Sequence, residues 1–349
     1  MRGLTTRAAL RDASLATAGV VAAIFAGSGA FAHVDPALVG YLGATIVATF
    51  GVVFRLSGFW RRPPSAMYVR AALAALREPR RLAGVLHVAA DDLVAQRFIA
   101  RRGRLRWLAH LLLSLGTLVS FAITLPLVWG WLRFEAIGQD TYVPRLAGLA
   151  VGRFAVDGAI AWGIFHGLDL AGGAVTLGAL YFLALRIRTR RGPGEMSAFH
   201  IGPLLLLLAV ALSGVALPAA RGVPALFDVA AVVHEALVVG LLVSLPFSKL
   251  GHVLVRPLQV GVRVLRAPGV PLARCDRCGD AFAPAAQLAA VAQLLAGHGY
   301  RFEGHQETCP ACRRLALAAA QATLLGAAFH PRIAGAHPAS GGARTRRAA

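Results

Sequence analysis

Residues 228–252 read DVAAVVHEALVVGLLVSLPFSKLGH. About 20 consecutive apolar residues suffice to cross a bilayer as a helix, and this stretch is that long, with Asp228 at one end and Lys249 near the other. Its two histidines, His234 and His252, are 18 residues apart. At 3.6 residues per turn that is five whole turns, so the spacing predicts both on one face of one helix, about 27 Å apart along its axis. Pro246 is expected to bend the helix end, and Lys249 to reach the headgroups.

Five more segments share this character, at roughly 14–32, 37–57, 107–131, 167–187 and 199–218. The chain has 349 residues, 57% of them hydrophobic, with a mean hydropathy of +0.64. A soluble domain rarely holds so little polar surface. The expected fold is therefore an all-α integral membrane helical bundle of six spans, or five if the first is removed. The first is ambiguous: Ala30-Phe31-Ala32 after an apolar run resembles a signal peptidase site, and an uncleaved helix is the preferred reading.

The 36 basic residues exceed the 16 acidic ones, giving a net charge of +20. Twelve arginines fall between Arg55 and Arg106, and four between Arg186 and Arg191, while the alternate loops hold few. Cytoplasmic loops carry this excess. Both basic blocks are thus expected inside, with the C-terminus, in a cell inner membrane. Aromatic residues are not interleaved with the arginines, so membrane lipid rather than nucleic acid is the expected partner. The chain divides into 1–36, an N-terminal span or signal-like segment; 37–255, the transmembrane bundle, with a basic loop at 58–106 whose Met67–Ile99 stretch is predicted to form helices on the inner surface; 256–330, a cytoplasmic domain; and 331–349, a disordered tail.

The span at 107–131 starts in RWLAHLLLSLGTLVSF, residues 106–121, and runs from inside to outside. It puts His110 one turn in, at the depth expected for His252. A low-spin heme needs a nitrogen ligand on each side of the iron, and His110 and His252 are the expected pair, with Arg104 and Arg106 near enough for the propionates. His234 would serve a second heme towards the outer side. A lone histidine in a span also serves simply as a hydrogen-bond partner of a neighbouring helix; matched depth favours ligation. At the outer end of the fourth span, IFHGLDLAGG at 164–173 places His166 and Asp169 at the expected depth of His234 and Glu235. His166, Asp169 and Glu235 are candidates to exchange protons with a quinol headgroup. Gly172, Gly173 and Gly178 suggest close approach of a neighbour.

The two histidines 18 apart, the PFSKLGH ending and the RWLAHLLLSLG stretch behind a basic loop resemble the gamma subunit of respiratory nitrate reductase. They also resemble the related membrane subunits of heterodisulfide reductase and sulfite reductase-linked complexes. The resemblance covers about residues 37–255 and implies a five-helix heme b bundle. It further implies electron transfer between the quinone pool and a cytoplasmic iron–sulfur or other redox subunit. Where the diheme members carry a second histidine ten residues along the earlier helix, this chain has Ser120, so one heme is expected at the inner site and a second outer heme lacks its partner.

Cys275-Asp-Arg-Cys278 and Cys309-Pro-Ala-Cys312 form two knuckles. Each CxxC turn aims two sulfurs at one point, and two such turns make a tetrahedron for Zn or Fe. Pro284 to Ala296 is predicted as a helix between them. An alternative function from another class is a transporter or scaffold carrying a zinc ribbon. A transporter is expected to carry charges near the bilayer midplane, and the histidines here are read as lying near the two faces.

The Arg-based topology predicts that a reporter fused after His330 is active on the cytoplasmic side alone. Activity confined to the outer side overturns the whole set of depths.

Overall fold

The computed structural model describes residues 2–189, 198–266, 270–300 and 304–328. The chain separates into two units, Met1–Leu265 and Arg266–Ala349. The predicted tail at 331–349 lies outside the described residues, as do 190–197 of the second basic loop.

The first unit opens with α1 (Arg2–Gly27), a turn at Pro36–Leu38 and α2 (Val39–Trp60). A run of short helices follows: α3 (Pro63–Arg77), α4 (Pro79–Ala89), a wider turn at Ala90–Val94, and α5 (Arg97–Ala100). Then come α6 (Arg104–Val128), α7 (Ala159–Phe165), α8 (Gly167–Thr189), α9 (Ala198–Ala220) and α10 (Pro224–Ser244). The unit closes with α11 (His252–Val255) and α12 (Leu258–Val264). Among the described residues six helices are long and apolar enough to cross a membrane: α1, α2, α6, α8, α9 and α10. The chain is a multi-pass helical membrane protein. In a bilayer the helix is the natural solution, because it satisfies every backbone polar group within one segment.

The packing order is circular. α6 lies on α8, α8 on α9, α9 on α10 and α10 on α2; α2 also meets α6, and α1 packs against α2. Phe121 of α6 joins two apolar clusters, one with Val175, Leu207, Ala211 and Leu241, the other with Ala44, Ala48 and Leu242. Close contacts fall where side chains are missing. A Cβ on Gly116 would stand 2.8 Å from the Ala171 carbonyl, and one on Gly178 2.5 Å from the Ala109 carbonyl. Gly172 lies against Val215 and Ala211, whereas Gly173 has nothing within 4 Å, so only two of the three expected glycines serve close packing.

Three features depart from the sequence reading. The helix expected to continue through His252 ends at Ser244. Pro246 has no N–H to continue the ladder, Ser248 turns extended, and its hydroxyl caps a new turn by accepting from Leu250 N at 3.2 Å. The Arg55 guanidinium donates to the Pro246 carbonyl, and Gly51 leaves room for the Pro246 ring. Next, the bundle unit extends past residue 255. α12 packs on α3 and α4, with Val260 buried against Ala75 and Val85, and Arg263 pairs with Asp92 at 3.4 Å. Finally, the connection between α6 and α7 holds a small antiparallel sheet, which the sequence reading does not include. β1 (Leu132–Ile137) pairs with β2 (Thr141–Leu146) in the register Leu132↔Leu146 to Ile137↔Thr141; β2 also takes β3 (Leu149–Ala150) and β4 (Phe154–Ala155).

The second unit holds a hairpin, β5 (Leu272–Arg274) with β6 (Ala281–Pro284), then α13 (Ala285–Gly297) and α14 (Pro310–Leu324). α13 matches the helix expected between the knuckles.

Gly116→Val and Gly178→Val should each destabilise the bundle by about 1–3 kcal/mol, because neither backbone can retreat from the added methyls. Thermal unfolding in detergent should show both midpoints lowered and that of Gly173→Ala unchanged; equal midpoints for all three refute the packing account.

Candidate functional site

Near the N-terminal end of α6, His110 is half-buried and places its Nδ1 2.6 Å from Gln96 Oε1. The amide nitrogen of Gln96 donates to Ser114 Oγ at 2.9 Å and to the Leu93 carbonyl at 3.4 Å. A carbonyl only accepts, so the amide oxygen is the atom facing the histidine, and His110 donates from Nδ1. Its Nε2 then carries the lone pair. Phe182 of α8 stands edge-on to the ring, with centroids 6.1 Å apart. His252 and Arg256 come near enough for their charges to act on His110. The exposed His252 donates from Nδ1 to the Lys249 carbonyl at 2.7 Å, which leaves its Nε2 with a lone pair as well. Arg256 lies over the Phe98 ring at 4.3 Å. The structure thus brings His110 and His252 into one neighbourhood, although by a turn and a separate short helix rather than along α10. Arg104 is exposed and Arg106 half-buried at the start of α6.

The second group lies halfway along α10. His234 is the eleventh of its 21 residues, so the expected position near the outer face is corrected towards the middle of the helix. Its Nδ1 is 2.8 Å from Ser213 Oγ, whose hydroxyl reaches the Val210 carbonyl at 3.1 Å. The ring fits over Gly214 of α9 and stands 6.5 Å from the Tyr41 ring of α2. This is a helix-to-helix hydrogen bond of the ordinary kind. The next residue, Glu235, covers Gly40, where a Cβ would collide with Oε1, and its charge acts on the buried Tyr41.

His166 and Asp169 do not join this group. His166 is exposed, stacks on Trp162 at 4.8 Å and donates from Nδ1 to the Trp162 carbonyl at 2.9 Å. Asp169 sits in the first turn of α8, and α9 stands between α8 and α10. Ser120 donates back to the Gly116 carbonyl at 2.9 Å. None of the residues that the sequence suggested as partners of His234 lies against it except its neighbour Glu235.

The four cysteines do converge. Cys275, Cys278, Cys309 and Cys312 have all their sulfurs within 4.8 Å of one another. The Cys278 and Cys309 sulfurs are 3.8 Å apart. A tetrahedron with metal–sulfur bonds of about 2.3 Å has an edge of about 3.8 Å, so the donor set fits Zn or a single Fe alike. The first knuckle hangs from the β5–β6 hairpin, where Gly279 takes a φ of +75° that a side chain would disfavour. The second opens α14, with Cys309 at the N-cap and Pro310 in the first turn. Cys309 N donates to the Cys275 sulfur at 3.2 Å, and Cys312 N to the Cys309 sulfur at 3.4 Å. The Cys309 N–H is the main cause that draws the Cys275 thiol down to about 6. Cys275, Cys309 and Cys312 are buried beside Phe282, and Cys278 is exposed.

Sequence reasoning missed Gln96, Ser213 and Tyr41. Ser213-Gly214 inside an apolar span is a legible sign of close helix approach; Gln96 carries no comparable sign, because its role depends on a turn.

Fold and site define a multi-pass membrane protein with an appended four-cysteine metal-binding domain. Comparison of the chain with family models, with curated proteins and with solved structures finds no match.

The full-length protein should carry about one Zn or Fe per chain, and Cys275→Ser or Cys309→Ser should lose it. Ligation needs the sulfurs as thiolates, so protons compete with the metal and acidification should release it. Elemental analysis across pH tests this; no metal at neutral pH, with four freely titrating thiols, refutes it.

Proposed function

We propose that this chain is a heme b subunit of the inner membrane. In this reading it transfers electrons between the quinone pool and a cytoplasmic redox partner, with its C-terminal domain on the cytoplasmic side. The observation that carries the reading is the inner histidine pair. His110 and His252 each direct Nδ1–H to a fixed acceptor and each keep an Nε2 lone pair, and His252 lies close enough to act electrostatically on His110. Ligating histidines are oriented in this way, by a hydrogen bond from the far ring nitrogen. The pair would offer a b-type heme two imidazole ligands, with Arg104, Arg106 and Arg256 as candidate partners for its propionates; the group would supply one-electron redox chemistry. The resemblance of PFSKLGH and RWLAHLLLSLG to nitrate reductase gamma-type subunits supports the same reading.

The remaining groups have supporting roles. Glu235, with Tyr41 and His234 beside it, is the group best placed to take protons from a quinol, since a carboxylate within a span is costly unless it functions. His166 and Asp169 are at most polar residues at a membrane face. The four-cysteine domain holds structural Zn, or a single Fe as an electron relay to the partner.

A second reading, a transporter or scaffold carrying a zinc ribbon, is favoured by one observation. Glu235 lies near the middle of α10, where a transporter keeps its ionisable groups. The reduced-minus-oxidised visible spectrum of the purified protein decides between them. A b-type signal that disappears in His110→Ala and in His252→Ala, with both variants still inserted, is the expected result. A colourless wild-type protein favours the transporter or scaffold, and full heme content in both variants refutes the ligand assignment.

A further inference from the structure

Gln96 is almost fully buried at 7% exposure. It also holds a left-handed backbone conformation, φ +50° and ψ +37°, that a glycine adopts without penalty. A turn alone would not need the amide. Yet both ends of that amide are engaged: Nε2 on Ser114 Oγ and the Leu93 carbonyl, Oε1 on His110 Nδ1. Ser114 is four residues on from His110 along α6, so the amide bridges two successive turns of the same face. The turn is itself fixed from both sides. Trp107 Nε1 donates to the Ala95 carbonyl at 2.7 Å. Asp91 binds Arg97 at 3.2 Å and Arg263 at 3.7 Å, and Arg256 covers Phe98.

We propose that Gln96 is a positioning residue for the inner ligand pair: it fixes His110 in the tautomer with a free Nε2 and sets the electron density of that imidazole. The proposal rests on the heme reading above and deepens it. An acceptor on Nδ1–H makes the ring a stronger donor through Nε2, which stabilises the oxidised iron. A stronger acceptor lowers the midpoint potential, and removal of the acceptor raises it. The loop also links the two ligands, because Arg256, whose charge acts on His110, rests on Phe98 two residues after Gln96.

The test uses the full-length protein, with heme content and midpoint potential of the b-type signal as readouts. Q96G relieves the left-handed conformation and removes the amide; it should accumulate in the membrane as well as wild type, yet show a raised potential or a loss of heme. Q96E keeps the length and strengthens the acceptor; it should lower the potential. If Gln96 serves only the turn, Q96G matches wild type in both readouts, and that result overturns the proposal. An unmoved potential in Q96E also overturns it. Absence of a b-type signal from wild type itself removes the heme reading, a result distinct from either failure.

Discussion

The bundle depends on backbone coming close to backbone where a side chain is absent. Lipid tails are as apolar as leucine, so spans gain little from burying apolar surface against each other and rely on tight contact instead. Each join from α6 round through α8, α9 and α10 to α2 is made at a glycine. Gly116 and Gly178 seat α6 on α8, Gly172 seats α8 on α9, Gly214 admits the His234 ring between α9 and α10, and Gly40 and Gly51 seat α2 along α10. The two contacts of α2 keep one offset: Gly40 meets Glu235, and Gly51, 11 residues on, meets Pro246, 11 residues on. α2 and α10 therefore run parallel in fixed register, and that register places Arg55 on the Pro246 carbonyl.

The break at Pro246 then decides how His252 comes near His110. Had α10 continued, His252 would sit on the face of His234, five turns below it. The turn at 245–248 releases it from that phase. A new short helix, braced by α12 against α3 and α4, presents it instead. The 18-residue spacing implies one face of one helix, a periodicity the backbone does not keep; His252 comes near His110 through the turn instead.

The spans were legible because length and hydropathy act locally: each of the six segments overlaps one long helix of the bundle, and 167–187 and 199–218 lie wholly within theirs, while α1 begins far earlier than residue 14 and the segments 14–32, 107–131 and 228–248 run past the ends of α1, α6 and α10. The two CxxC knuckles were legible because their geometry is set within four residues each. What was not legible depends on distant packing. The small sheet after α6 alternates over Leu132–Glu135 and has Gly138 at its turn, but Tyr142-Val143-Pro144 interrupts the pattern in the second strand, so the hairpin signal is weak. Glu235 looked like a partner of His166 because depth was the only coordinate available; depth without azimuth does not reveal that α9 intervenes. Gln96 falls in the Met67–Ile99 stretch, whose composition predicts a surface-lying helix, and only the left-handed turn at Gln96 brings its amide to His110.

The metal-binding unit has a lopsided wall. Three of its sulfurs are sealed behind Phe282 and the start of α14, while Cys278 faces outward, 3.5 Å from the Asp280 carboxylate. A chelator, an oxidant or a competing ion therefore meets one corner of the tetrahedron first. Exchange at such a site is stepwise, with a three-sulfur state along the way, and its rate is governed by that single corner rather than by the affinity of the whole set.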